Sequence, residues 1–266
     1  MKKNPLKEEE KFHDAWAGSI NVNDLLIEES FEAVTAPENR IICAKLGRIK
    51  GKKILELGCG AGEASVFFAK RGAIVTATDI SSGMLNVAKK LAKRHNTHLK
   101  TVQCFSNKTP FKEESFDIVY AANLLHHVVS DDTLKEVRRV LKKGGVFVSW
   151  DPLDHNFFIN VYRRIATQVR TADEHPIQFP QLKKLNTYFK RVEIETTWFF
   201  TLLIFFKFYF IDRINPNKER YWKKIISDHK KIEKMYSFLE RVDIILLKLV
   251  PGLKKYCWNV VIYAKK

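Results

Sequence analysis

The chain has 266 residues, of which 45% are hydrophobic, 12% aromatic and 29% charged. That composition fills one large core and excludes wholesale disorder, a collagen-like repeat and a disulfide-stapled miniprotein. Lys and Arg outnumber Asp and Glu 46 to 30, and the formal charge of +16 favours polyanionic partners, either nucleic acid or an anionic membrane surface. The last quarter is strongly basic, with 15 Lys and Arg against six acids in residues 201–266. Cys43, Cys59, Cys104 and Cys257 form no CxxC pair and have no His set beside them, so neither a metal site nor a disulfide framework is expected. Residues 1–10 are charged with no apolar stretch behind them, unlike a signal peptide. The longest apolar run, 198–211, is broken by Lys207 and falls short of the roughly 18 residues of a membrane span. A cytoplasmic chain with access to a membrane surface is expected.

In chain order, residues 1–50 read as a polar helical cap, with a turn at Thr35-Ala36-Pro37-Glu38-Asn39 ahead of a short helix. From Lys52 onward short apolar runs alternate with amphipathic segments. Strands are expected at 54–57, 73–78, 102–105, 117–121 and 145–150. Ser130-Asp131-Asp132 caps an expected helix that places Leu134, Val137 and Leu141 on one face and stops at Gly144. Strand–helix alternation at this pace means parallel strands joined by right-handed crossovers, an α/β doubly wound sheet.

Glu56-Leu57-Gly58-Cys59-Gly60-Ala61-Gly62 follows the first strand and opens a helix. Glycines there permit a tight turn and close approach of backbone to a ligand. A dinucleotide site would want a third spaced glycine at 63, where Glu63 would face a pyrophosphate, so a nicotinamide-dependent oxidoreductase is disfavoured. The second strand, Val75-Thr76-Ala77-Thr78-Asp79, ends in a carboxylate able to accept both ribose hydroxyls of an adenosine ligand.

Five ordered blocks now stand together: 54–62 (ILELGCGAG), 77–84 (ATDISSGM), 110–117 (PFKEESFD), 123–127 (NLLHH) and 141–145 (LKKGG). Over roughly residues 50–155 the chain resembles the class I S-adenosylmethionine-dependent methyltransferases, particularly the small-molecule and lipid "type 11" branch. The resemblance implies a Rossmann-like sheet of seven strands, the sixth (191–197) and seventh (257–263) closing it as a hairpin. Residues 1–50 would then be an N-terminal helical extension, 51–197 with 257–266 the cofactor-binding core, and 198–256 a helical insertion between strands six and seven. It also implies that Gly58, Gly60 and Gly62, with Glu56 and Cys59 in the same turn, lie under the methionine part of S-adenosylmethionine. Asp79 would hold the ribose, Ile80 and Met84 would flank the adenine, and Asn123 would lie at the mouth. Where relatives often place an acid for the adenine amino group, this chain reads Cys104-Phe105-Ser106-Asn107, which leaves Ser106 or Asn107 for that role.

His126 and His127 follow the fourth strand and are candidate bases, since imidazole moves protons near neutral pH. A second cluster, Arg170-Thr171-Ala172-Asp173-Glu174-His175-Pro176, offers Glu174 and His175, with Asp151 and His155 nearer the fifth strand; its other reading is a salt-bridged helix end. The insertion opens on Trp198 and a run of phenylalanines and continues with Trp222, Ile225, Ile226, Ile232, Met235, Phe238 and Leu239 at helical spacing among lysines. An apolar face with a basic flank describes a helix lying in a membrane interface; the alternative is a self-packed lid over a soluble aromatic substrate. The expected function is methylation of a small, apolar or lipid-like acceptor at or near a membrane. The alternatives are a nucleic-acid methyltransferase and a catalytically silent membrane-associated binding protein. Against the former, the [DN]-P-P-[YF] loop of amino-methylating DNA enzymes is replaced by Asn123-Leu124-Leu125, and no Pro-Cys nucleophile occurs.

Overall fold

The computed structural model describes residues 5–128, 131–165 and 176–266. Three helices come first: α1 (Pro5–Ala17), α2 (Ile27–Glu32) and α3 (Pro37–Leu46). Pro37 opens α3, where the N–H it lacks would have had no helical partner. Then follow β1 (Lys53–Leu57), α4 (Glu63–Lys70), β2 (Ile74–Asp79), α5 (Ser82–Arg94), β3 (Lys100–Gln103), β4 (Phe116–Ala122), α6 (Leu125–Val128), α7 (Asp131–Val140), β5 (Leu141–Pro152), α8 (Phe157–Ile165), α9 (Leu185–Tyr188) and β6 (Arg191–Thr197). Before the last strand, β7 (Asn259–Lys265), lie α10 (Leu203–Phe206), a π-helical turn (Lys207–Ile211), α11 (Tyr221–Ser227) and α12 (His229–Leu249).

The seven strands form one sheet in the order β3-β2-β1-β4-β5-β7-β6. Strands β1 to β5 are parallel; β7 is antiparallel to both β5 and β6, so β6 runs with the rest. This is the Rossmann-like, hairpin-closed architecture that the sequence resemblance implies. The order reverses between β1 and β4, which opens a crevice at their carboxyl ends.

Both sheet faces are covered. On one side Leu55, Leu57, Val119, Phe147, Val260 and Ile262 meet Leu134 and Val137 of α7 and Leu185 of α9. On the other, Ile54, Tyr120, Val148 and Val261 meet Phe31, Ile42, Phe67, Phe68 and Leu91 of helices α2 to α5. Burial on both faces explains the near-continuous apolar run of β7, and β6, at the edge, is only half-buried. At about 1.5–3 kcal/mol for each large apolar side chain, these two layers dominate the stability.

Local boundaries differ from expectation in three places. Leu141 does not continue the face of α7: it pairs with Phe116 and begins β5, and the register shift there lets Gly144 (φ 74°) bend the strand. The expected cap residue Ser130 lies outside the described residues. The third strand runs over Lys100–Gln103, and Phe105 instead bridges to Lys108 in a tight turn.

Between β6 and β7 the chain builds a third, aromatic core. Trp198, Phe205, Phe208, Tyr221 and Tyr236 bury one another together with Ile159 of α8, and Trp258 packs against them. Part of the helical stripe read as an outward face is therefore internal: Ile225 and Ile232 are buried there, and Met235 and Leu239 pack against the same cluster.

Candidate active site

Three glycines after β1 have positive φ, and each has a different reason. A side chain on Gly58 (φ 64°) would lie 2.9 Å from Leu124 Cδ1, because the β4 exit crosses directly over the turn. One on Gly62 (φ 84°) would come within 2.6 Å of Ala88 Cβ, so this glycine lets α4 and α5 approach. At Gly60 (φ 50°) nothing lies within 4 Å of that position, so the turn faces open space there. A backbone bare of side chain beside an open volume is what a closely apposed ligand requires.

Asp79 ends β2 beside that space and is 8% exposed. Its Oδ2 accepts from the Gly60 N–H at 2.9 Å and its Oδ1 from the Ser81 N–H at 2.9 Å. The carboxylate is thus fixed in orientation, and each oxygen keeps a lone pair for a further donor. Burial pushes its pKa up, against those two backbone bonds. Glu56 lies deeper, hydrogen-bonded by Ser65, and burial with the nearby Asp79 charge raises its carboxyl to about 8. Burial also raises the Cys59 thiol well above its usual range.

Helix α1 covers this end of the sheet. Asp14 Oδ1 accepts from Ser81 Oγ at 2.5 Å and from the Gly83 N–H at 2.9 Å, holding α1 to the first turn of α5. Met84 is buried against Ala17 and Val87, with Trp16 beside them, and Ile80 offers its carbonyl to Gln103 Nε2 at 2.8 Å. Ser106 is half-buried and Asn107 exposed, both in the turn after β3. The insertion reaches the same place, where the Arg220 guanidinium stacks 4.6 Å from the Trp16 ring centroid. Burial raises Glu63 and lowers Lys223, whose charges face each other across this contact.

On the far side of the crevice Asn123 leaves β4 exposed, with φ 51°, its N–H donating to the Trp150 carbonyl at 2.9 Å. His126 is buried, with Nδ1 3.0 Å and its backbone nitrogen 3.2 Å from Asp151 Oδ1, while Ser149 Oγ donates to Asp151 Oδ2 at 2.8 Å. A carboxylate only accepts, so this geometry places the ring proton on Nδ1 and makes Nε2 the basic nitrogen. The side chain of His127, and all of Glu174 and His175, lie outside the described residues. His155 pairs with Asp154 instead of with the His126–Asp151 pair.

The ends of β6 and β7 are gathered by an acid from the N-terminal segment. Glu38 of α3 accepts from Asn259 Nδ2 at 2.9 Å and from Thr197 Oγ1, and burial raises its pKa. The next residue, Trp198, is buried with φ 66°, a left-handed conformation costly for a bulky side chain. It is held because Asp243 of α12 caps the following turn, accepting from the N–H groups of Phe199, Phe200 and Thr201. Asp14, Glu38 and Asp243 carry no local sequence signal for these roles, whereas Asp151 is placed by the sequence at the end of the fifth strand.

Comparison with known proteins agrees with this geometry. Residues 55–149 match the methyltransferase domain family. A sterol 24-C-methyltransferase from Gibberella zeae is 32% identical over 165 residues, covering 59% of this chain and 43% of the relative. A ubiquinone biosynthesis O-methyltransferase from Coxiella burnetii is 32% identical over 122 residues, covering 45% and 51%. The chain thus spans about half the length, or less, of the curated relatives it matches. Among solved structures, phosphoethanolamine N-methyltransferase 2 of Haemonchus contortus, bound to S-adenosyl-L-methionine, superposes with a TM-score of 0.58 at 20% identity, covering 86% of this chain and 52% of that one. The YcgJ protein of Bacillus subtilis gives 0.53 at 15%, covering 85% and 97%. Residues 55–149 are thus a methyltransferase domain, and the seven-stranded sheet around them has the fold of the class I S-adenosylmethionine-dependent enzymes. The residues present fit that cofactor: open space at Gly60 and a locked carboxylate at Asp79 provide room for an adenosyl group and acceptors for its ribose.

Proposed function

We propose that the chain transfers the methyl group of S-adenosylmethionine to a small, apolar or lipid-like acceptor at or near a membrane surface. The observation that carries this reading is the aromatic insertion rooted on the carboxyl ends of β5 and β6, where Ile159, Trp198, Phe205 and Trp258 pack together. Loops at those strand ends build the acceptor side in this architecture, and aromatic walls favour apolar ligands. Two of the relatives are named for a sterol and for ubiquinone biosynthesis, which agrees with an acceptor of that class. Among the described residues no helix is long and apolar enough to cross a membrane.

When bound, S-adenosylmethionine supplies an electrophilic methyl group on a cationic sulfur. In this reading the Gly58–Gly62 turn admits its methionine part, Asp79 orients the ribose, Met84 and Ile80 border the adenine with Ser106 or Asn107 near its edge, and Asn123 lies at the mouth. In-line displacement depends mostly on positioning, which these fixed groups provide. For a hydroxyl acceptor, His126 is the assigned base, its ring oriented by Asp151, which Ser149 holds in turn. The test is incubation of the purified protein with methyl-labelled cofactor and a detergent-dispersed host lipid extract. Label should move into an organic-phase product; label confined to aqueous metabolites or RNA would overturn the acceptor class.

A further inference from the structure

Helices α8 and α10 are apolar on more than the face they bury. Their inner sides, with Ile159, Tyr162 and Phe205, enter the aromatic core. The outer side of α8 and the π-helical turn that follows α10 remain in the open: Phe157 is 72% exposed, Phe158 51%, Phe210 66% and Ile211 73%. These residues form one ridge, not scattered points. Ring centroids lie 5.7 Å apart for Phe157–Phe158, 5.1 Å for Phe158–Phe206 and 6.0 Å for Phe206–Phe210, so the contacts run unbroken from α8 into the π-helical turn. Contiguous exposed aromatics of this kind mark an interaction surface.

Charge decides the occupant. The segments 157–165 and 198–211 contain no Asp or Glu, and exposed Arg164 lies in the first. The first acid after the ridge, Asp212, is paired with Lys207 at 2.6 Å. On the helical wheel Arg164 borders the arc of Phe157, Phe158, Val161 and Ile165, and exposed Arg213 follows Ile211 directly. An apolar ridge rimmed by cations, on a chain of charge +16, suits an anionic bilayer better than a protein partner.

We propose that the ridge Phe157–Phe158–Phe206–Phe210–Ile211 is the element that inserts into an anionic lipid surface, seating the carboxyl ends of β5 and β6 against it. This rests on the proposed function and deepens it by naming the surface that meets the membrane. The insertion residues are phenylalanines at the headgroup boundary, and the arginines stay among the lipid phosphates.

Flotation of the full chain with phosphatidylcholine vesicles, with and without phosphatidylglycerol, tests it. The parent should float with the anionic vesicles and progressively less at high salt. Phe157→Glu/Phe210→Glu and the uncharged Phe157→Ser/Phe210→Ser should each lose at least about tenfold in vesicle affinity, with thermal midpoint and cofactor affinity retained. Ile74→Glu, an exposed apolar position at the amino end of β2, should float like the parent. A parent that never floats, or double variants that float undiminished, would overturn the proposal. So would light scattering that finds a parent dimer converted to monomer by the same variants, since a second copy would then cover the ridge. The detergent-dispersed labelling assay separates the two readings. A parent that floats but labels nothing apolar refutes the acceptor class alone, whereas labelling without flotation refutes the ridge alone.

Discussion

Glu56 makes the stability of this domain fall as pH rises. Its carboxyl sits at about 8 in the fold against 4.5 for an unperturbed glutamate, chiefly because it is fully buried and secondarily because Asp79 is nearby. Below pH 4.5 both folded and unfolded states hold the proton. Between 4.5 and 8 the unfolded chain releases it and the folded chain keeps it, so the unfolded state is stabilised relative to the fold with each pH unit; above 8 the effect levels off. A gap of about 3.5 pH units at about 1.36 kcal/mol each amounts to about 5 kcal/mol lost across that window. Glu56→Gln keeps the shape and a hydrogen bond to Ser65 but has no proton to lose. Urea unfolding of parent and variant from pH 4.5 to 9 should show the variant gaining on the parent by several kcal/mol by pH 8. Glu38, also raised by burial, slopes the same way in both proteins and cancels in the difference, whereas the charges of Asp79 and Glu63 act on Glu56 and belong to the measured effect. Parallel curves would refute the reasoning, because they would mean that Glu56 is already ionised in the fold. The cofactor adds a second readout: a cationic ligand beside this acid favours its carboxylate, so binding near pH 7 should release protons in the parent and fewer in Glu56→Gln. Calorimetry in buffers of different ionisation enthalpy measures that number.

The glycine turn separates ligand binding from packing: Gly62→Ala should cost about 2–4 kcal/mol of stability through left-handed strain and the clash with Ala88, measured by denaturant unfolding. Gly60→Leu, pointing into open space, should leave most of the stability and abolish cofactor binding by calorimetry. Asp79→Ala should weaken cofactor binding by about 1–3 kcal/mol, the scale for losing a charged hydrogen-bond acceptor; unchanged affinity would remove Asp79 from the site. If the acceptor is a hydroxyl or an acidic carbon, His126→Ala should lower turnover about 10²–10⁴-fold with cofactor affinity intact. Asp151→Asn should also lower turnover, by losing the preferred tautomer, and near-parent rates in both would indicate a purely positional mechanism.

What the sequence disclosed and what it hid divide by the distance over which each signal acts. The strands were legible because burial on both faces writes continuous apolar runs, and the turn because Gly58, Gly60 and Gly62 each need a backbone that other residues resist. Cofactor-side residues cluster within a few positions of those signals. The contacts that frame the site join groups remote in sequence: Asp14 and Ser81 are 67 residues apart, Asp243 and Thr201 42, Glu38 and Asn259 221. Each of these acids, taken alone, reads as solvated surface. The insertion shows why periodicity fails there as well. A helix with one apolar face announces where its core lies, but α8 carries exposed Phe157 and Phe158 opposite buried Ile159, and α10 with the turn after it carries Phe205 inside and Phe210 outside, so spacing cannot say which side is inside. Only the packing of Ile159, Phe205 and Tyr162 settles it, and in doing so leaves Phe157, Phe158 and Phe210 more than half exposed among the described residues.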